Sequence, residues 1–190
     1  MKRNVKNFYF LFNFLWYKDF PLTENTSKWG RTDFTAHVMR CIRSCADLMG
    51  YHTYHEKHDK IDAIIEDGKG NEITFIECES DEPSNPSVDE IRKLNKLEGD
   101  EFSTFISYSR DDHHKENIKK IRREWTNTKK QLIVFLVRYA PKYINRNYVR
   151  DFTKHCLETY VIQSNNYKKR VHSQRVLPWE VVGTKWQRPK

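Results

Sequence analysis

The chain has 190 residues, of which 37% are hydrophobic, 14% aromatic and 32% charged, with a mean hydropathy of −0.88. That is material for one core of ordinary size, and it excludes collagen, wholesale disorder and membrane spanning. The formal net charge of +8 is unevenly placed: residues 1–140 carry 23 basic and 23 acidic side chains, and the last 50 carry 11 and 3.

The opening residues are the most unusual in composition, with five of the eleven Phe before Pro21. Helix and strand both fit this stretch. It either packs on the core or presents an aromatic surface to a second copy or a protein partner. Its basic start and apolar run resemble a signal peptide, but no small-residue cleavage site follows and the run is too short to span a bilayer. A polar linker, 23–28, leads into the body. Phe34, Val38, Cys41, Ile42, Cys45, Leu48 and Met49 then recur at helical spacing, with Thr32 or Asp33 as N-cap and Gly50 as the stop. Cys41 and Cys45 fall on that apolar stripe, where free cysteine packs as a small hydrophobe. The four cysteines lack the density of a disulfide-stapled domain, which predicts reduced thiols and a cytoplasmic location.

Residues 51–57 alternate loosely and Ile61–Ile65 is a short apolar run. The cluster Asp67-Gly68-Lys69-Gly70-Asn71 turns the chain into Ile73-Thr74-Phe75-Ile76-Glu77-Cys78-Glu79, giving two or three strands of which the last two form a hairpin. The Ser87-x-x-Glu90 capping box opens a helix carrying Val88, Ile91, Leu94 and Leu97. A strand over 102–108, a charged helix over 112–130 and a buried strand over 131–137 follow. A further helix is predicted over 143–162 from Ile144, Tyr148, Phe152 and Cys156, and an irregular basic segment after it. The order is helix, three strands, helix, strand, helix, strand. This predicts an α/β fold with a mixed central sheet flanked by helices, divided into an aromatic extension (1–30), a core domain (31–140) and a basic C-terminal helix and tail (141–190).

Residues two apart on a strand face one side, so Ile73, Phe75, Glu77 and Glu79 share a face. If the hairpin pairs Asp67 with Glu72, counting back sets Asp62 opposite Glu77 and Lys60 opposite Glu79. Three acids and a lysine then converge. On an exposed edge these are ordinary solvated acids, but Ile73 and Phe75 mark the face as buried, and carboxylates crowded there need a cation to stay ionised. Hard oxygen ligands select Mg²⁺ or Mn²⁺, and such an ion suits phosphodiester hydrolysis.

Ile61-Asp62, a hairpin and then Ile76-Glu77-Cys78-Glu79, set between helices, resemble the PD-(D/E)XK nuclease superfamily, whose restriction-endonuclease-like core runs α-β-β-β-α-β. The likeness covers about 32–108. It implies a Mg²⁺-dependent DNA endonuclease with Asp62, Glu77 and the carbonyl of Cys78 as metal ligands. Glu79 stands in the place of the motif lysine, as in E-x-E variants, where it lies near the attacking water. The lysine's role would pass to Lys60, or to Lys93 or Lys96 on the following helix. Position 61 is Ile where the motif name has proline. A catalytically inactive nuclease-fold module that binds nucleic acid or a regulatory protein is the alternative.

Zinc is not expected from His52, His55 and His58, which point in different directions on a strand and loop, nor from the adjacent His113 and His114. No phosphate-cradling Gly-rich loop or nucleophile elbow is present. Basic residues fit a nucleic-acid partner, DNA above all: Lys119, Lys120, Arg122 and Arg123 on the charged helix, and Lys168, Lys169, Arg170 and Arg175 among the aromatics near the end. On a helix alone such residues are as well explained by a solvated face. No membrane partner is expected.

Overall fold

A computed structural model describes residues 3–19, 31–55, 61–79, 88–110, 112–144, 146–164 and 172–176. Among these residues, four helices, α1 (Arg3–Asp19), α2 (Arg31–Met49), α3 (Val88–Lys96) and α4 (His114–Glu124), accompany seven strands. These are β1 (His52–Tyr54), β2 (Ala63–Glu66), β3 (Glu72–Glu79), β4 (Phe102–Arg110), β5 (Gln131–Ile144), β6 (Asn147–Gln163) and β7 (His172–Val176). They form one mixed sheet in sequence order. β1, β2 and β3 run antiparallel, β3, β4 and β5 are parallel, and β5, β6 and β7 are antiparallel again. From α2 to β5 the element order is the one predicted.

Two apolar cores lie on the two faces of the sheet. α1 and α2 cover one, against Ala63, Ile76, Phe102, Ile106, Ile133, Phe135 and Val137. α3 and α4 cover the other, against Ile64, Phe75, Phe105, Leu132, Val134 and Leu136. This explains why β4 and β5 read as continuous apolar runs: strands buried on both faces have no solvent side to alternate with.

The aromatic opening segment is part of the first core. Val5, Phe8, Phe12, Leu15 and Trp16 recur at helical spacing and are fully or almost fully buried. The Phe12 ring lies 4.1 Å from that of Phe135, and Trp16 is 4.6 Å from His37. Asn13, also buried, donates to the Tyr9 carbonyl and accepts from Thr159 Oγ1 at 3.0 Å, which ties α1 to β6. Among the described rings of α1, Phe14 is substantially exposed, at 41%. Phe12→Ala should therefore cost about 3–5 kcal/mol, measured by denaturant unfolding; a loss below 1 kcal/mol would remove α1 from the core.

α2 carries the predicted stripe, with Cys41 and Cys45 buried and in no disulfide, although Leu48 is 62% exposed and outside it. Gly50 adopts φ 72°, where its N–H reaches Asp47 and the Tyr51 N–H reaches Ala46, closing the helix end.

Four expectations are corrected. Residues 143–162 are not a helix: β5 continues to Ile144, turns through Arg146 at φ 66° and returns as β6. The i, i+4 apolar spacing there is overridden by ladder pairing with β5, from Ile144↔Asn147 to Leu132↔Ile162. The boundary expected at 140/141 consequently falls inside a strand. The segment after 164 is not wholly irregular, because β7 pairs with β6. Finally, α4 ends at Glu124 rather than near 130, where Trp125 turns to extended backbone (ψ 108°) and the Asn95 side chain accepts the N–H groups of Thr126 and Asn127. Lys130 thus leaves the charged helix and is buried, its ammonium donating to Leu97 O and, at 2.6 Å, to Asp100. Among the described residues, no helix is long and apolar enough to cross a membrane.

Candidate functional site

The β2–β3 hairpin sets the geometry. Asp67 Oδ1 accepts the N–H groups of Lys69 and Asn71, and Gly70 sits at φ 80°, so the turn is built from the residues that marked it in the sequence. Pairing runs Ala63↔Ile76, Ile64↔Phe75 and Ile65↔Thr74. Extended by one step, this sets Asp62 opposite Glu77, the predicted register. Nearer the turn, Glu66 pairs with Glu72 across a register shift. That irregularity sends Ile73 to the α1/α2 core, whereas Phe75 belongs to the α3/α4 core. Ile73 therefore does not share the face of Phe75 and Glu77, as strict alternation had predicted.

On the α3/α4 side, Glu77 is 3% exposed. Lys93, from the second turn of α3, places Nζ 2.5 Å from Glu77 Oε1 and 3.7 Å from Glu90 Oε2. Asp62 Oδ2 accepts the backbone N–H of Cys78 at 2.7 Å, which orients its carboxylate beside the strand end. Glu79 closes β3, half-buried, opposite Ser107 of β4. Glu77 of β3 and Glu90 of α3 thus share one ammonium, with the charge of Asp62, just before β2, close by and Glu79 at the strand end.

The electrostatics follow from that crowding. Burial, only partly offset by the Lys93 hydrogen bond, together with the charges of Asp62 and Glu90, pushes the Glu77 carboxyl up to about 8. Burial works against the Lys93 charge, yet the hydrogen bond and charge of Glu77, with Glu90 and Asp62 behind them, hold its ammonium above the usual lysine value. The Cys78 thiol is pushed up by burial and by the charges of Asp62, Glu79 and Glu77.

Of the expected catalytic residues, the structure brings Asp62, Glu77 and Glu79 to one end of the hairpin, while Lys60 lies outside the described residues. The α3 lysine that contacts the site is Lys93. Lys96, the other candidate on that helix, lines a cleft of about 450 Å³ with Arg92 and Lys93 beside it. Among the described residues, no group of three or more His, Cys, Asp or Glu side chains is disposed to hold a metal ion. The carboxylates at this strand end are Asp62, Glu77, Glu79 and Glu90, and Lys93 pairs with Glu77 and Glu90.

On α4, Lys119 pairs with Glu116 at 2.7 Å and Arg122 lies 6.0 Å over the Tyr160 ring. Arg123 is exposed and Lys120 half-buried. Arg175 sits in β7 opposite Tyr160. Lys168, Lys169 and Arg170 lie outside the described residues. The sequence reading missed two features: the acid Glu90, at i−3 from Lys93, and the buried Glu158 of β6, which accepts from Tyr160 Oη and lies 3.3 Å from Arg138 Nε of β5. Reading 157–162 as a strand would have found the latter, because Glu158, Tyr160 and Ile162 alternate onto one face.

No family model matches the chain, and no curated protein matches it. One solved structure, "The Crystal Structure of YaeQ Protein from Xanthomonas axonopodis pv. citri", is similar over 76% of this chain and 77% of that one, with 10% identity and a TM-score of 0.29.

Proposed function

We propose that the chain is a divalent-metal-dependent nuclease of the PD-(D/E)XK kind that hydrolyses DNA phosphodiester bonds. The observation that carries this reading is the convergence of Asp62, Glu77 and Lys93: an acid just before the second core strand, held to the third by the Cys78 N–H, an acid on that third strand, and a lysine from the next helix 2.5 Å from the second acid. The α-β-β-β-α-β order from α2 to β4, with β4 parallel to β3, agrees with it.

The residues fit Mg²⁺ or Mn²⁺. Mg²⁺ is commonly held by one or two carboxylates while keeping several waters, and Asp62 and Glu77 supply two hard oxygen donors, with burial and the neighbouring acids disfavouring the Glu77 charge until a cation meets it. The carbonyl of Cys78 is the third donor that the family resemblance implies. When bound, the cation supplies charge neutralisation and activation of water. The chain's own groups do the rest. Cys78 N–H fixes Asp62. Lys93 takes the place of the motif lysine, and its ammonium stays charged at neutral pH to steady the phosphate. Glu79 stands at the strand end as a proton acceptor.

A second reading, an inactive nuclease-fold module, is favoured by the same ion pair, since Lys93 already compensates Glu77 without any metal. Incubation of plasmid and single-stranded DNA with Mg²⁺, Mn²⁺ or Ca²⁺ separates the two. The expected result is cleavage with Mg²⁺ or Mn²⁺, abolished in Asp62→Ala with DNA binding retained. Binding without cleavage in any metal would establish the module, and neither binding nor cleavage would end the nucleic-acid reading.

A further inference from the structure

Three histidines, His52, His55 and His58, precede the second strand, and the chemistry proposed above uses none of them. His58 lies outside the described residues and His52 is exposed on β1. His55, the residue after β1, is placed at the candidate centre, with Nδ1 3.3 Å from the backbone oxygen of Asp62. A carbonyl oxygen only accepts, so Nδ1 carries the hydrogen and donates it. The partner of one ring nitrogen sets the tautomer of the whole imidazole, and here that partner is the main chain of a candidate metal ligand.

Asp62 is a residue that needs such a hold. It sits on a bend just before β2, and the pairings on the two sides of β2 end short of it, at Tyr54↔Ile64 and Ala63↔Ile76. The neighbouring apolar residues mark the same irregularity. Ile61 and Ile64, three apart, both reach the α3/α4 core, whereas Ala63 packs in the α1/α2 core. Regular alternation would send Ile61 with Ala63. Ladder pairing alone therefore does not set the direction of the Asp62 carboxylate. Two further hydrogen bonds act on it: the Cys78 N–H on Oδ2 at 2.7 Å, from the β3 side, and the His55 Nδ1–H on the backbone oxygen, from the β1 side.

We infer that His55 is a positioning residue for the metal site, whose Nδ1–H holds the Asp62 backbone in the place from which the carboxylate joins Glu77 on one divalent cation. Hydrogen bonds behind a ligand fix its orientation, and losing one typically costs about 10- to 100-fold in metal affinity. His55 acts only through Asp62. It also gives the three-residue edge strand β1 a part in the site, because the strand delivers the ring to the bend. The inference rests on the nuclease reading, which supplies the cation and its ligands.

The test is calorimetric titration of the full chain with Mn²⁺, without DNA. His55→Ala removes the donor and should weaken Mn²⁺ binding by about tenfold, the low end of that range because the bond is exposed and 3.3 Å long. His55→Asn should restore wild-type affinity, because the Asn amide nitrogen reaches the position of Nδ1 and donates as it does. A general loosening of the edge strand would not be undone by Asn, so the rescue separates positioning from mere support. Long-range proton–nitrogen NMR of the wild type needs no variant and covers the case in which His55→Ala fails to fold: the neutral ring should carry its proton on Nδ1. Wild-type affinity in a folded His55→Ala, equal losses in the Ala and Asn variants, or a ring protonated on Nε2 alone overturns the inference, while Mn²⁺ binding lost in Asp62→Ala leaves the nuclease reading standing. A wild type that binds no Mn²⁺ overturns both.

Discussion

Lys93→Met should lower metal-dependent DNA cleavage by roughly 10²- to 10⁴-fold, the span of a lost proton-transfer or charge-stabilising group at a reacting centre, with duplex affinity changed far less. Lys93 is the cation in contact with the core of the site, 2.5 Å from Glu77, and its ammonium is held protonated by the acids around it. Glu79→Ala, assayed alongside, divides the labour. If both variants lose cleavage, the lysine and the strand-end carboxylate act together; if only Lys93→Met does, the motif lysine's role has moved wholly to α3. Wild-type cleavage by Lys93→Met would remove Lys93 from the chemistry. Glu79→Lys gives the converse reading, because gain of cleavage by that variant alone would identify an inactive module.

What the sequence disclosed about this site, and what it hid, have separate physical causes. The Asp62–Glu77 pairing came out as counted, but not from the turn alone: Glu66, not Asp67, pairs with Glu72, and the extra residue that follows on β3 restores the offset that sets Asp62 opposite Glu77. The bulge near the turn was not legible, since a one-residue irregularity leaves no periodic trace, and so Ile73 was assigned to the wrong face. Lys93 was one of three lysine candidates, and only the packing of α3 against β3 separated it from Lys96. The largest error was at 143–162, where i, i+4 apolar spacing competed with a long antiparallel ladder that depends on β5, a partner local pattern cannot see. That error concealed Glu158 and Tyr160, which read as scattered polar positions on a helix and as one face on a strand. Trp125 and Asn95 likewise end α4 early through contacts between elements, which removed Lys130 from the basic surface and buried it against Asp100.

Stability of the metal-free protein should fall as pH rises from about 4.5 to about 8, and Glu77→Gln should flatten that fall. The native Glu77 carboxyl titrates near 8 against an ordinary value of 4.5, so between those limits the folded state holds a proton that the unfolded chain has released. Unfolding then becomes more favourable by up to about 1.4 kcal/mol per pH unit. Over the whole window this amounts to an upper bound on the order of 5 kcal/mol. Lys93 acts elsewhere on the scale: its native value lies above 10.5, so the stability it contributes is present throughout this window and is lost only at more alkaline pH. Gln keeps the shape and a hydrogen-bond acceptor for Lys93 but has no charge to strand. Glu77→Gln should therefore match the wild type near pH 5 and exceed it in urea midpoint at pH 8.5, while losing cleavage. The same urea titrations with Mn²⁺ present should stabilise the wild type at pH 8.5 and leave the variant unmoved, as expected when the charge that destabilises the fold is the one that holds the cation. Parallel pH profiles for the two proteins would show that Glu77 is not a destabilising buried acid, and the uncompensated charge on which the metal assignment stands would be gone.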